Sequence, residues 1–341
     1  MHYCLKIRRQ KKSFKKEMEL IMKKKIVTAV LLAIVLILII TTVSVIFFGE
    51  SKKEYKDPEY NTENITGINT LDIKNDKIKN KYQFVFITDL HASIENENEK
   101  DEKIRQALIE RNNAFTNLNK NKVKSDSIFK EIVNYTNNKN ADALLLGGDI
   151  LDTPADSNLK FLSENLNNLN TKYLYTFGNH DWTFSWNYQS KETKEKYIPK
   201  FNELMQDTEV SYLEYEDLII LAIDDGTNKI SESAMEKVKN VLEKKKPTIV
   251  MLHVPIATQY IADETVKIRN RNSTIGKNGG AKTDETTLNT IDMILSKEYN
   301  VFYVIAGHVH FSIRDTLENG IPEEVSAPAY EGVINLIKIN N

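Results

Sequence analysis

Five of the six histidines lie in a series of short motifs, and each motif directly follows an apolar segment of strand length. The motifs are Asp89-Leu90-His91, Gly148-Asp149, Gly178-Asn179-His180-Asp181, the single His253 and Gly307-His308-Val309-His310. Imidazole nitrogens and carboxylate or amide oxygens are ligands for divalent metals where thiolates are absent. A fold that uses these motifs together must bring five distant segments to one place.

The apolar runs alternate with stretches of helical periodicity. Strands are predicted for six runs, at residues 83–88, 143–146, 173–177, 218–223, 248–252 and 301–306. Apolar stripes at helical spacing predict helices around residues 128–133, 159–169, 235–242 and 288–295. The third of these is expected to begin with a capping box from Ser233 to Glu236. Such alternation predicts an α/β domain.

Every candidate ligand lies just past the carboxyl end of a predicted strand, where open α/β sheets place their binding sites. Seven side chains form the candidate metal site: Asp89, His91, Asp149, Asn179, His253, His308 and His310. Seven ligands are too many for one tetrahedral ion and suit two ions that share a carboxylate. The single cysteine is Cys4, far from these motifs, so the nitrogen and oxygen ligands indicate Mn, Fe or Zn.

Taken in order, the motifs D-x-H, G-D-x-x-D (Gly148 to Asp152), G-N-H-D, His and G-H-x-H resemble those of the calcineurin-like metallophosphoesterases. The resemblance covers residues 82 to about 341. It implies a four-layer α/β/β/α sandwich of two mixed sheets. It also implies a dinuclear, metal-dependent phosphoric ester hydrolase, either a phosphatase or a phosphodiesterase.

The resemblance further implies a role for each site residue. Asp89, His91 and His310 would bind the first metal ion, Asn179, His253 and His308 the second, and Asp149 would bridge them. Manganese is the favoured metal, and Fe or Zn remain open. A hydroxide between the metals would attack phosphorus. His180, oriented by Asp181, would face the phosphoryl group, and Asp152 is either a supporting residue or a turn residue.

The amino-terminal part of the chain has the pattern of a membrane anchor. Residues 26–48 are 23 consecutive residues without a charge, enough for a helix to span a bilayer. Residues 1–25 carry a net charge of +8, which predicts a cytoplasmic leader. The apolar run is longer than that of a signal peptide and lacks an A-x-A-like site, which favours an uncleaved anchor. We expect a polar stalk at 49–80 and the catalytic domain, at 82–341, outside the cytoplasm.

Substrate and partners stay open at this stage. The total charge is −2, so residues 26–341 carry −10, which argues against nucleic-acid binding. The aromatic run Trp182, Phe184, Trp186 and Tyr188 either lines a pocket for a nucleobase or sugar, packs in the core or forms a membrane-facing rim. Basic residues in 267–282 either contact a second phosphate or form a solvated loop. Cell-envelope and extracellular phosphoesters both fit an outward-facing domain.

Two other functions are compatible with the same motifs. One is a non-catalytic, metal-stabilised binding domain at the cell surface, although such a domain would be expected to have lost ligands. The other is a metal-dependent hydrolase of amides or carboxylic esters, which would require the same metals.

Overall fold

The structure is a computed structural model that describes residues 62, 64–280 and 282–340, which belong to one unit, Tyr55–Asn341. The predicted leader (1–25), the predicted anchor (26–48) and the first part of the predicted stalk lie outside the described residues. No helix within the described residues is long and apolar enough to cross a membrane.

The first sheet has five strands. They are β1 (Gly67–Lys74), β2 (Tyr82–Ile87), β3 (Ala143–Leu146), β4 (Lys172–Tyr175) and β11 (Val333–Asn340). Their order across the sheet is β1-β11-β2-β3-β4. Strands β2, β3 and β4 are parallel, whereas β11 runs antiparallel to β2 and parallel to β1.

The second sheet has six strands. They are β5 (Val210–Glu214), β6 (Ile219–Ile223), β7 (Thr248–Met251), β8 (Val301–Ala306), β9 (Ile313–Thr316) and β10 (Pro322–Val325). Their order is β5-β6-β7-β8-β10-β9. Strands β6, β7, β8 and β10 are parallel, and the edge strands β5 and β9 are antiparallel to their neighbours.

Helices connect the strands. They are α1 (Glu102–Leu118), α2 (Ser125–Lys139), α3 (Asp156–Leu166), α4 (Lys191–Tyr197), α5 (Glu232–Leu242), α6 (Gln259–Arg269) and α7 (Glu285–Ile294). Short 3₁₀ turns occupy Ile198–Phe201, Glu318–Gly320 and Ala329–Glu331.

Three apolar layers separate the sheets and the helices. Because side chains alternate along a strand, β2 sends Val85 and Ile87 toward the helices and Phe84 and Phe86 into the layer between the sheets. A third layer lies between the second sheet and helices α5 and α7. The predicted α/β sandwich of two mixed sheets is confirmed.

The six predicted strands are confirmed as β2, β3, β4, β6, β7 and β8, and the four predicted helices as α2, α3, α5 and α7. The capping box is wrong, because the N-cap of α5 is Ser231, whose hydroxyl accepts from the amide of Ala234. The hydroxyl of Ser233 instead donates to Glu209.

The predicted stalk at 49–80 is wrong for Gly67–Lys74, which form strand β1 and pair with β11 along their whole length. Only Leu71 and Ile73 of this edge strand are buried, so the segment lacks the apolar run by which the other strands were recognised. Ile65 and Ile78, on either side of β1, are also buried.

The layer between the sheets should dominate stability. Phe84 is fully buried there and contacts the ring of Tyr215 edge-on, with centroids 5.7 Å apart. We expect Phe84→Ala to cost about 3–5 kcal/mol, and to lower the melting temperature by about 6 to 20 °C in calorimetry. Tyr188→Ala, which removes an aromatic ring that is 89% exposed, is the matched control and should melt like the wild type. Equal melting of all three proteins would contradict the importance of this layer.

Candidate metal centre

The carboxyl ends of five strands from both sheets meet at one place. Asp89 follows β2, Asp149 follows β3, Asn179 follows β4, His253 follows β7 and His308 follows β8. The sheets therefore position the motifs as the sequence pattern predicted. Two groups of potential metal-binding atoms share a residue, each with its atoms within 4.8 Å of one another: Asp89, His91, Asp149 and His310 form one, and Asp149, His253 and His308 form the other. A further cluster of the same kind, His91, Asp152 and His180, does not include Asp149.

Asp149 belongs to both groups. Its Oδ2 lies 3.4 Å from His253 Nε2 and 3.7 Å from His91 Nε2. In the first group, His310 Nε2 lies 3.2 Å from both Asp89 Oδ1 and His91 Nε2. Ring nitrogens thus converge on carboxylate oxygens around a shared carboxylate.

The donor atoms fit divalent cations. The amide oxygen of Asn179 is buried and accepts no hydrogen bond from the described residues, which is costly unless another partner is present. His308 Nδ1 and His253 Nε2 face each other at 3.1 Å. Such a set of nitrogen and oxygen atoms, without sulfur, suits two ions such as Mn, Fe or Zn.

Five of the candidate ligands have a left-handed backbone, with φ between 50° and 70°: Asp89, His91, Asp149, His308 and His310. This conformation is uncommon outside glycine, and it persists only where the surroundings enforce it. Hydrogen bonds supply that enforcement. The Asp89 amide donates to the Gly148 carbonyl at 3.0 Å, and the His308 amide donates to Asp89 Oδ2 at 2.8 Å.

Two glycines allow the loops to approach this closely. A Cβ on Gly178 would lie 2.1 Å from Asp149 Oδ1, and one on Gly307 would lie 2.0 Å from the Thr88 hydroxyl. The glycines of the third and fifth motifs are therefore required by steric contact with the neighbouring loops.

The prediction that Asp181 orients His180 is wrong. Asp181 is buried beneath the loops, and its oxygens accept from the amides of Asp149, Leu151 and Gly178 and from the hydroxyl of Tyr175. Its carboxylate is therefore occupied by structural donors.

Asp152 is the carboxylate that contacts His180. Its Oδ1 lies 3.1 Å from His180 Nδ1 and 2.9 Å from His91 Nδ1. Burial alone would lower the pKa of His180, but Asp149 and Asp152 raise it to about 9. The side chain of His180 is 33% exposed, so this imidazole faces both a buried carboxylate and solvent. Asp152 is thus a supporting residue for His180, and it also contacts His91, one of the candidate metal ligands.

The charges of the second group are strongly coupled. Burial alone would raise the pKa of Asp149, but His253 and His180 hold it well below its usual value. Burial would lower the pKa of His253, but Asp149 raises it to about 10. Burial and the neighbouring His253 lower the pKa of His308 to about 3. Asp149 and His253 thus favour each other's charged form, whereas His253 disfavours a second positive charge on His308.

Arg111 of helix α1 is a site residue that our sequence analysis missed. Its guanidinium donates to Asp152 through Nε at 2.6 Å and Nη2 at 2.9 Å. Phe115, one turn later, stacks on His91 with centroids 4.2 Å apart. Because Leu108 and Phe115 are apolar and both buried, their spacing of three and four residues from Arg111 could have placed Arg111 on the same helical face.

The aromatic run after the third motif divides between core and surface. Trp182 and Phe184 are buried, whereas Trp186 is 36% exposed and Tyr188 is 89% exposed. Phe184 stacks on Trp186 with centroids 4.8 Å apart, and the ammonium of Lys103 lies 4.3 Å from the Trp186 ring centroid.

Comparison with known families agrees with this arrangement. The model of the calcineurin-like phosphoesterases matches residues 82–312, about two thirds of the sequence. The chain belongs to the calcineurin-like phosphoesterase family. It is accordingly a metal-dependent phosphoric ester hydrolase. That family uses a dinuclear divalent metal centre, and the side chains gathered here form a cluster that could hold metal ions.

Among solved structures, the chain is similar to a dimetal phosphatase from Danio rerio, with 13% identity, a TM-score of 0.43 and coverage of 73% of this chain and 88% of that one. It is also similar to a phosphopantetheinyl hydrolase from Mycobacterium tuberculosis (13% identity, TM-score 0.39, coverage 74% and 91%). A purple acid phosphatase from yellow lupin, Lupinus luteus, has 12% identity, a TM-score of 0.44 and coverage of 76% and 44%. No curated protein sequence matches significantly.

The glycine contacts can be tested directly. Gly178→Ala would push a methyl group into Asp149, so we expect at least about tenfold weaker metal binding, measured by metal content after dialysis against a competing chelator. Gly67→Ala, where the nearest atom is 3.9 Å away, is the matched control and should bind metal normally. Unchanged metal content in Gly178→Ala would show that the loop adapts and that the close approach is not required.

Proposed function

We propose that the seven predicted side chains hold two divalent metal ions, with Asp149 shared between them. Asp89, His91 and His310 complete one site, and Asn179, His253 and His308 the other. The observation that carries this proposal is that Asp149 is common to both groups of converging donor atoms. The unpartnered amide oxygen of Asn179 further supports it.

The reaction we propose is hydrolysis of a phosphate ester. Two divalent ions, when bound, supply a nucleophile from water at neutral pH and neutralise charge on the phosphoryl oxygens. The His180 ring has its Nδ1 3.1 Å from Asp152, and Asp149 and Asp152 raise its pKa to about 9, which favours the protonated imidazole that a proton donor requires. In our proposal it gives a proton to the leaving oxygen.

Manganese is the metal we favour, with Fe or Zn compatible, because carboxylate, amide and imidazole ligands surround the site without a thiolate.

We further propose that the protein is a single-pass membrane protein with its amino terminus in the cytoplasm and its catalytic domain outside. The uncharged segment 26–48 and the +8 charge before it support this topology. Cell-envelope or extracellular phosphoesters are then the accessible substrates, and the acidic remainder of the chain disfavours nucleic acid.

The activity can be tested on the full-length protein, stripped with a chelator and reloaded with Mn, Zn or Fe. We expect metal-dependent hydrolysis of 4-nitrophenyl phosphate, bis(4-nitrophenyl) phosphate or both. Asp149→Ala should lose at least about 100-fold in kcat/KM, because removing a ligand should cost at least as much as removing a supporting residue. Asp156→Ala, which removes an exposed carboxylate paired with Lys200, is the matched control.

Activity that survives in the stripped protein, or in Asp149→Ala, would contradict the proposed centre. Absence of turnover with two metal ions bound per chain would favour the non-catalytic binding domain. Turnover of amides or carboxylic esters instead of phosphate esters would favour the other hydrolase class.

The topology has a separate test. In intact cells, we expect protease added outside to degrade a carboxyl-terminal tag but not an amino-terminal one. Deletion of residues 26–48 should move the protein from the membrane fraction to the soluble fraction. A protected carboxyl-terminal tag in cells that are shown to be intact would contradict the proposed orientation.

A further inference from the structure

Helix α1 forms a fixed wall of the candidate metal centre. Leu108 packs with Phe184, and Phe115 stacks on the ring of His91. After the last turn of the helix, the Asn119 side chain donates to the Tyr330 carbonyl at 2.8 Å. Side chains between Leu108 and Phe115 are therefore held at a defined position beside the site.

Arg111 is the cation on this wall. Its Nε and Nη2 donate to Asp152, and its guanidinium lies 4.9 Å from the centroid of the Phe115 ring. Asp152 in turn contacts His91 and His180. Arg111 is thus separated by one carboxylate from a candidate metal ligand and from the proposed proton donor.

Part of the Arg111 guanidinium remains available. A guanidinium has five N–H groups in a rigid fork, and Asp152 engages one edge, Nε and Nη2. Within the described residues, the remaining N–H groups of Nη1 and Nη2 have no partner. The side chain is 32% exposed, comparable to His180 at 33%. Two partly exposed side chains, those of Arg111 and His180, therefore contact the same buried carboxylate of Asp152.

We propose that Arg111 binds a non-bridging oxygen of the substrate phosphoryl group and thereby selects phosphate monoesters. This inference rests on the proposed function. A guanidinium fork matches phosphoryl oxygens in geometry and charge. Asp152 and Phe115 hold the fork in place, so little rotamer entropy is lost when it binds.

The number of oxygens explains the selectivity. A monoester presents three non-bridging oxygens with up to two negative charges, whereas a diester presents two with one charge. When two oxygens are directed to metal ions, only the monoester retains a third for Arg111. A residue that acted only through Asp152, by positioning His91 and His180, would instead affect both ester classes equally.

The test compares Arg111→Gln with wild type as full-length, manganese-loaded proteins. The glutamine side chain keeps an amide that can donate to Asp152 and part of the aliphatic chain that contacts Phe115. It removes the guanidinium and its positive charge. Arg105→Gln is the matched control, because Arg105 lies on the same helix and pairs with Glu102 at the surface. Metal content and melting temperature are measured first, to show that each variant is folded and loaded.

Binding of inorganic phosphate, the product, is then measured by isothermal titration calorimetry. We expect Arg111→Gln to raise the Kd about 10- to 100-fold, the usual effect of losing hydrogen bonds between charged groups. The kcat/KM for 4-nitrophenyl phosphate should fall by a similar factor, and that for bis(4-nitrophenyl) phosphate by less than about threefold. Arg105→Gln should change neither.

An unchanged Kd for phosphate in fully metal-loaded Arg111→Gln overturns the inference. An equal fall in kcat/KM for the monoester and the diester overturns it as well. Wild-type turnover restricted to diesters also overturns it, while leaving the proposed function intact. If neither ester is turned over by the metal-loaded wild type, the proposed function fails, and the phosphate Kd still decides whether Arg111 binds the anion.

If Arg111→Gln does not fold, Arg111→Lys replaces it, because lysine keeps the charge without the fork. We expect Arg111→Lys to weaken phosphate binding by about three- to tenfold and to leave kcat/KM for the diester unchanged. Phosphate binding equal to that of the wild type, or an equal loss on both esters, overturns the inference in this variant as well.

Discussion

A single buried carboxylate holds together the two loops on which the centre is built. Asp181 accepts from the amides of Asp149 at 2.8 Å, Leu151 at 2.9 Å and Gly178 at 2.7 Å, and from the hydroxyl of Tyr175 at 2.5 Å. Without Asp181 these buried donors would be unpaired, at a cost of about 1–3 kcal/mol each. The loop after β3 and the loop after β4 therefore form one rigid unit.

A buried carboxylate also accepts hydrogen bonds from loop amides in the second sheet, and a third carboxylate joins the two sheets. Asp225, buried after β6, accepts from the amides of His253 at 2.9 Å and Val254 at 3.0 Å. Asp89 accepts from the amide of His308 at 2.8 Å, and so connects the loop after β2 to the loop after β8. Buried acceptors thus stabilise the left-handed backbone of Asp149 and His308, and so fix the loops from which the ring nitrogens converge.

The sequence predicted the structure best where a single pattern corresponds to a single structural feature. Apolar runs marked the buried strands, and the residue after each run marked a loop at the shared edge. The function of Asp181 could not be read in this way, because adjacency to His180 does not show where a carboxylate points. Strand β10 was missed for a related reason: buried Glu323 and Glu324 interrupt the apolar pattern on which strand prediction depends. The edge strand β9 was missed because Ile313 is its one buried residue.

Charge balance connects the supporting residues to the metals. Asp89, Asp149 and Asp152 are buried, and a buried carboxylate is tolerated only when it is paired. The neighbouring carboxylates raise the pKa of His253 and of His180, which favours positive charge beside these aspartates. An imidazole must be deprotonated to bind a metal, so a divalent ion held by His253 would replace the positive charge of the proton that the ring gives up. Arg111 keeps its charge throughout, because the pKa of a guanidinium paired with Asp152 rises further. Metal ions and protons can therefore exchange at the centre while the guanidinium of Arg111 keeps its positive charge. This constant charge makes Arg111 a suitable group to bind an anionic substrate.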